Sequence, residues 1–211
     1  MKVACFGYRD WATKIFNNLK ATKQFTFTDV NEADVVLFYG WSSMIPPETY
    51  LNKLCLILHP SPLPKYRGGS PLQHQIINGE KMSAVTIFKA TGEMDAGPIY
   101  SQVPLSLEGS LDEIFDRIID IGTKETIRIL ANIDYNQARP WSQDESKATL
   151  YKRRKPEESE IDLSKPAEEL YNFIRALTTP YPNAFIRCSD GKKLYITGVH
   201  LESPEELIKV P

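Results

Sequence analysis

Apolar residues in the early part of the chain form short unbroken runs separated by polar segments. The runs of strand length are Lys2–Phe6, Val35–Tyr39, Leu54–Leu58 and, more weakly, Phe25–Val30. Between the first two, apolar residues recur from Trp11 to Leu19 at the spacing of one helix face, and Asp10 is placed to cap that helix. Strands without polar alternation, separated by helices, are typical of a parallel sheet covered on both faces.

Alternating helices and strands continue as far as residue 133. The pattern predicts short helices at Pro46–Tyr50 and Ser70–Ile77 and strands at Ala84–Phe88 and Ile99–Val103. Ser110 and Glu113 have the spacing of a capping box, and apolar residues follow on one face as far as Leu130. This segment is therefore predicted to be a long amphipathic helix.

Composition changes after Ile133, and the rest of the chain is predicted to be an appendage to the sheet. Residues 134–160 are polar and charged, as in a linker, and Ser164 is placed to cap a further helix. A hairpin is predicted from Ala184–Cys188 and Leu194–Leu201 around Asp190-Gly191. We therefore predict an α/β fold: a Rossmann-like, mostly parallel sheet with helices on both faces at 1–133, a linker at 134–160, and a short helix-and-hairpin tail at 161–211.

Charge and cysteine usage narrow the classes of function. The net charge is −2, so no general basic field would attract a nucleic acid or an anionic membrane. Three dispersed cysteines without a C-x-x-C pair argue against a disulfide framework and favour a reducing cytoplasm. No segment has the apolar core of a signal peptide or the length to span a bilayer. His59, His74 and His200 lack metal-ligand spacing, so no metal site is predicted.

Two loops carry the candidate chemistry. His59 follows an apolar run directly and opens a proline-rich segment that extends to Pro71, and Asp95 lies in a second loop, Gly92–Gly97. Because the ends of strands form the binding crevice of open α/β sheets, both side chains can face one site. A carboxylate beside an imidazole orients the ring and stabilises its protonated form, which suits proton transfer during acyl transfer. The G-x-G-x-x-G fingerprint of a nucleotide-dependent oxidoreductase is absent after the first strand, which holds only Gly7 before the helix.

These two motifs resemble a known family. His59–Pro71, followed by Met94–Gly97, is similar to the folate-dependent formyltransferases, which include methionyl-tRNA formyltransferase, sugar N-formyltransferases and the domain that formylates aminoarabinose in lipid A synthesis. Three later segments resemble especially the region after the catalytic domain of the lipid A enzyme: Arg153–Asp162, Asn172–Leu177 and Pro180–Phe185. The likeness extends from about Val35 to about Leu201, and two separately placed motifs make it specific.

The resemblance implies an activity and a set of ligands. It implies transfer of a formyl group from N10-formyltetrahydrofolate to the amine of a nucleotide-linked amino sugar, with His59 and Asp95 as catalytic residues, and a homodimer. The implied folate-binding residues are Tyr39, Trp41, Met44, Ile45, Met94 and Asp95, of which Trp41, Met44 and Ile45 are chemically suited to packing a flat pterin. For Trp41 and Met44, a plain core role is the alternative.

The chain departs from the family pattern at two places. The family has an Asn two residues before the catalytic His, whereas Ile57 stands here and cannot donate a hydrogen bond. Losing one donor to the developing oxyanion typically lowers the rate on the order of 10²–10³-fold. Gln73, His74 or a backbone N–H are candidate replacements. The second departure is the short stretch 20–34, which implies a missing or reduced strand–helix unit.

Several roles stay open at this stage. Arg67, Gln73 and His74 are candidate substrate-binding residues, but a salt bridge of Arg67 that pins the loop, or a structural His74, is an equal or better alternative. The basic run Lys152–Lys155 is either solvated or contacts phosphates of a sugar nucleotide or RNA. A methionyl-tRNA-type enzyme is the first alternative function, and the residues after the linker are too few for its helix and full β-barrel. A non-catalytic folate-binding protein is the second, because of Ile57.

Overall fold

The computed structural model describes residues 1–202, and its secondary structure alternates as the sequence predicts. The ten strands of this part are β1 (Lys2–Phe6), β2 (Thr26–Phe27), β3 (Val35–Tyr39), β4 (Leu54–His59), β5 (Arg67–Gly68), β6 (Met82–Lys89), β7 (Ile99–Ser106), β8 (Leu150–Tyr151), β9 (Ala184–Arg187) and β10 (Lys193–Ile196). Its α-helices are α1 (Asp10–Ala21), α2 (Pro47–Asn52), α3 (Pro71–Ile77), α4 (Leu111–Asp134) and α5 (Ala167–Ala176).

The main sheet has six strands in the order β2-β1-β3-β4-β6-β7. The pairings β2–β1, β1–β3 and β3–β4 are parallel, whereas β4–β6 and β6–β7 are antiparallel. This arrangement confirms the predicted Rossmann-like, mostly parallel sheet. Because β2 and β3 lie on opposite sides of β1, the chain reverses its winding direction there, and the carboxyl ends of β1 and β3 flank a crevice.

The two faces of the sheet are packed differently. One face carries the larger core, to which α1, α3 and α4 contribute. Gly122 allows α4 to lie close to α1 and β4, since an added Cβ would be 2.7 Å from Ile15 and 2.8 Å from Leu58. On the other face, a smaller cluster that includes Phe38 and Cys55 is covered by partly buried side chains such as Ile45 and Tyr50. Helix α5 docks through Arg175, which donates to the carbonyls of Leu107 and Gly109.

Several local predictions are confirmed and others are wrong. The capping box of Ser110 and Glu113 is present at the start of α4. Asp10 does not cap α1 but is its first residue, with Arg9 at the N-cap. Ser164 does not cap α5, because its hydroxyl donates to Asp162 at 2.6 Å and the helix begins three positions later, at Ala167. The predicted strand at Phe25–Val30 shrinks to the two residues of β2, and residues 28–34 form no helix before β3.

The hairpin of β9 and β10 turns at Asp190-Gly191 as predicted, although its second strand ends at Ile196. Within residues 1–202, no helix combines the length and apolar character needed to cross a membrane.

Candidate active site

His59 ends β4 at the carboxyl edge of the sheet, and its side chain is 8% exposed. Its Nε2 lies 2.8 Å from the carbonyl oxygen of Tyr66. Because a carbonyl can only accept, Nε2 carries the proton of the neutral ring and Nδ1 presents its lone pair. Nδ1 is 3.7 Å from the Oδ2 atom of Asp95. The structure thus brings the two predicted catalytic residues together and leaves Nδ1 as the nitrogen that can take up a proton.

Asp95 is held in an unusual backbone conformation. Its φ is +51°, in the left-handed region that non-glycine residues seldom adopt. The carboxylate accepts a 2.7 Å hydrogen bond from the backbone N–H of Gly68, which links it to the His59 loop. The loop also packs tightly, because a Cβ at Gly97 would lie 1.8 Å from the carbonyl oxygen of Lys89. The hydrogen bond from Gly68 and the tight packing of the loop therefore fix the position of this carboxylate.

Residues 143–153, which we call the strap, lie across the His59 loop. Within it, β8 pairs with β5 in parallel. A Cβ at Gly68 would lie 2.3 Å from the carbonyl oxygen of Tyr151, and one at Gly69 would lie 2.4 Å from Cα of Arg153. The glycine pair is therefore required by the close approach of the strap. This part of the predicted linker is built into the candidate site.

Gln143 joins the two loops. Its Nε2 donates to the carbonyls of Asp95 and Gly97, each at 2.8 Å. Its Oε1 accepts from Nε of Arg67 at 3.1 Å and from Nη2 at 2.7 Å. Arg67 also pairs with Glu145 through two further hydrogen bonds, which raise the pKa of the guanidinium and lower that of the Glu145 carboxyl. The guanidinium, 9% exposed at the side chain, is thus engaged in pinning the loop.

The sequence interpretation missed Gln143, Glu145 and Tyr151. They lie in a polar segment without periodicity, and their partners are far away in the chain. Tyr151 stacks on Tyr66 with ring centroids 4.8 Å apart. His74, a candidate for substrate contact, packs against Tyr151 and its Nε2 contacts the carbonyl of Lys152 at 2.9 Å.

Ile57 lies two residues before His59 on the same face of β4. Its side chain packs against Leu63, Phe88 and Ile99, where a polar group would need a partner. Gln73, a candidate replacement for the family Asn, lies on α3 and is 5% exposed.

The predicted folate-binding residues divide into two groups. Tyr39 is fully buried in the larger core, donates to or accepts from Thr126 at 2.9 Å, and stacks on Phe16. Its side chain therefore offers no surface to a ligand, and burial holds the pKa of its hydroxyl well above the usual range. By contrast, Trp41, Met44 and Met94 are 37%, 84% and 60% exposed. Ile45 is partly buried and packs against the smaller cluster.

Trp41 belongs to an aromatic group at the ends of β1 and β3. Its ring lies edge-on to Phe6 and tilted against Phe38 and Tyr8. Gly92, in the loop that carries Met94, lies close to α2, since a Cβ at Gly92 would be 3.5 Å from the Tyr50 hydroxyl. Trp41 follows the carboxyl end of β3, at the edge that carries His59, whereas the loop of Met94 follows the antiparallel β6 and returns to His59 through Asp95. Within the described part of the chain, no three His, Cys, Asp or Glu side chains cluster as metal ligands would.

The structure defines an α/β protein with a Rossmann-like sheet, in which a buried imidazole lies beside a partly buried carboxylate at the carboxyl edge, an arrangement chemically suited to proton transfer. The chain belongs to the formyl transferase family. Residues 3–130 match the formyl transferase family model, and residues 153–209 match the model of the formyl transferase C-terminal domain.

Relatives include methionyl-tRNA formyltransferase from Moorella thermoacetica, which is 37% identical over 155 residues, covering 72% of this chain and 49% of that protein. The chain thus spans about half the length of the curated relatives it matches. Among solved structures, methionyl-tRNA formyltransferase from Clostridium thermocellum aligns with a TM-score of 0.78 at 29% identity, over 93% of this chain and 97% of that one.

Two more distant structures share the fold. A sugar N-formyltransferase from a Shewanella species aligns with a TM-score of 0.75 at 18% identity, over 96% of this chain and 99% of that one. HypX from Aquifex aeolicus in complex with tetrahydrofolic acid aligns with a TM-score of 0.81 at 18% identity, over 94% of this chain and 37% of that one.

Proposed function

We propose that this chain transfers a formyl group from N10-formyltetrahydrofolate to the amine of a nucleotide-linked amino sugar. The observation that carries the proposal is the pair of His59 Nδ1 and Asp95 Oδ2, 3.7 Å apart at the carboxyl edge of the sheet. Family membership gives this pair its chemical context.

The pair is suited to managing one proton. When bound, the formyl-folate supplies the activated one-carbon group. His59 Nδ1 accepts the proton that the attacking amine loses as it forms the bond to the formyl carbon, and the same proton is returned to the folate nitrogen that leaves. The negative carboxylate of Asp95 stabilises the imidazolium meanwhile. The Nε2–H bond to Tyr66 keeps the ring from rotating away.

The chain has surfaces that fit a folate. Trp41 and Met44 expose apolar area on the loop after β3, and Met94 does so next to Asp95, which suits a flat aromatic group. We propose that these side chains and Ile45 hold the pterin, and that Tyr39 contributes only through its main chain. HypX, a protein of the same fold, has been solved in complex with tetrahydrofolic acid, which supports a folate as the ligand.

The amino-sugar acceptor has the following support. The sugar N-formyltransferase structure matches nearly the full length of this chain and of its own, although the methionyl-tRNA formyltransferase structure does so too at higher identity. The net charge of −2 gives the chain no general basic field, which disfavours tRNA as the acceptor. One observation favours a methionyl-tRNA acceptor instead: the relatives at 34–38% identity are methionyl-tRNA formyltransferases.

A second candidate function is folate binding without transfer, which the apolar environment of Ile57 favours. One experiment separates all three functions. N10-formyltetrahydrofolate is mixed with a panel of nucleotide-linked amino sugars or with methionyl-tRNA, and tetrahydrofolate release is followed. Release with one sugar, absent in His59→Ala, supports the proposal. Release with methionyl-tRNA alone supports the tRNA enzyme. Folate binding without release from any acceptor supports the binding protein.

A further inference from the structure

A cleft of about 430 Å³ opens beside the crevice, between the start of α1, the first half of α4 and the turn at Thr179–Tyr181. Its volume is in the range of small-molecule sites. His59 and Asp95 are not among its lining residues, so it is a separate surface from the catalytic pair. It lies where the C-terminal segment docks on the sheet domain, and Tyr181 contacts Phe115 there.

The cleft is lined by charged side chains of both signs and by aromatic or apolar side chains. Two cations, Arg9 and Lys14, and three carboxylates, Asp10, Asp112 and Asp116, line the cleft. Within residues 1–202, none of these five side chains forms an ion pair, so each keeps its charge available. The remaining lining is largely aromatic or apolar: Tyr8, Trp11, Phe115, Ile119, Pro180 and Tyr181.

A continuous series of contacts connects this cleft to the catalytic pair. Tyr8 lines the cleft, and its hydroxyl bonds to the hydroxyl of Ser42, which lies just beyond β3. Arg153 of the strap donates to the same Ser42 oxygen at 3.2 Å. The main chain of Arg153 packs on Gly69, next to the Gly68 N–H that binds Asp95. The hydrogen bond from Ser42, together with the charges of Arg9 and Arg153, lowers the pKa of Tyr8 although its partial burial opposes this shift.

A nucleoside diphosphate offers a complementary group to every part of this lining. Its base is a flat ring for aromatic walls, its hydroxyls and base N–H groups are donors for carboxylates, and its phosphates are anions for Arg and Lys. We propose that the cleft binds the nucleoside diphosphate part of the acceptor, so that the attached amino sugar extends past Tyr8 and Arg153 toward His59. This inference rests on the proposed function and assigns its acceptor subsite.

The test measures binding without any transfer step. Uridine and thymidine diphosphates are titrated calorimetrically into the folate-free protein, with inorganic diphosphate as the probe that lacks base and sugar. Lys14→Gln and Asp116→Asn are the cleft variants. Their matched controls are Lys124→Gln and Asp120→Asn, an exposed pair on the same α4 that lies outside the cleft. All four positions are exposed, so the fold should tolerate each change.

We expect at least one nucleoside diphosphate to bind more tightly than inorganic diphosphate. Its Kd should rise tenfold or more in each cleft variant and change less than twofold in the controls. The inference is overturned if neither nucleotide binds, or if cleft and control variants behave alike. Because no formyl transfer enters this measurement, failure of the proposed activity would show separately, as absent tetrahydrofolate release from a protein that still binds the nucleotide.

Discussion

The side-chain amide of Gln143 donates a 2.8 Å hydrogen bond to the carbonyl oxygen of Asp95, a residue 48 positions earlier in the chain. Asp95 needs such support because its φ of +51° is costly for a residue with a Cβ. Through Arg67, the same glutamine also connects to the His59 loop. A residue that touches neither reactant in our proposal thus sets the position of the catalytic carboxylate.

Gln143→Ala should lower kcat by roughly 10–100-fold with little change in KM, since small displacements of catalytic groups have effects of that size. The two carbonyls lose their donor and the Asp95 loop relaxes away from His59. Steady-state kinetics with a circular dichroism melt will check this. Gln137→Ala, an exposed glutamine earlier in the same segment, is the control. A Gln143→Ala enzyme with normal kcat would show that the loop holds Asp95 unaided.

Asp95→Asn tests the charge of the carboxylate apart from its shape. The amide oxygen can still accept from the Gly68 N–H, so the loop geometry should persist. The imidazolium of His59 loses its stabilising negative charge, and we expect kcat to fall by roughly 10²–10⁴-fold, the usual contribution of acid–base groups. If Asp95→Asn retained the parent rate, an electrostatic role for this residue would be wrong.

Ile57→Asn tests whether this chain lacks an oxyanion donor. The new amide would lie on the face of β4 that carries His59, and a restored donor is expected to raise kcat by up to roughly 10²–10³-fold. The change should also destabilise the fold by about 1–3 kcal/mol, because an amide replaces a packed apolar side chain. Ile57→Val, which stays apolar, is the control. A folded Ile57→Asn protein without faster turnover would indicate that another group already serves the oxyanion.

The three thiols should differ sharply in reactivity. Burial raises the pKa of Cys5 to about 12 and that of Cys55 to about 11, so both are almost entirely protonated at pH 8. Since the thiolate is the reactive form, only the exposed Cys188 should react quickly with a disulfide reagent. One thiol per native chain and three per denatured chain are expected in a colorimetric titration. Fast reaction of Cys188→Ser would contradict the assigned burial.

Local patterns and the family resemblance together predict that His59 and Asp95 face one site, and the structure places them 3.7 Å apart, while their catalytic role stays a prediction. The expected reason, strand ends at one edge, is wrong: β6 runs antiparallel to β4, and the loop after β6 folds back to bring Asp95 to the carboxyl end of β4. Most of the sheet follows from its apolar runs. The contacts of the strap could not be predicted from the sequence. Gln143 and Tyr151 lie in a polar stretch without periodicity, and their partners are brought near only by the folded chain. The prediction that Ser164 caps α5 is wrong for a local reason, because its hydroxyl donates to Asp162 instead. The two-residue β2 pairs with one neighbour, β1, so apolar character alone overestimated its length.

The pairing of β8 with β5 has a consequence for how such proteins can be rearranged. A gene fusion that kept only the sheet domain, ending near residue 133, would lose the strand that lies on Gly68 and the glutamine that holds Asp95. Exchange of C-terminal parts is therefore constrained at its junction. A workable crossover point lies beyond Arg154, whose backbone N–H still donates to the Ser70 hydroxyl in the His59 loop.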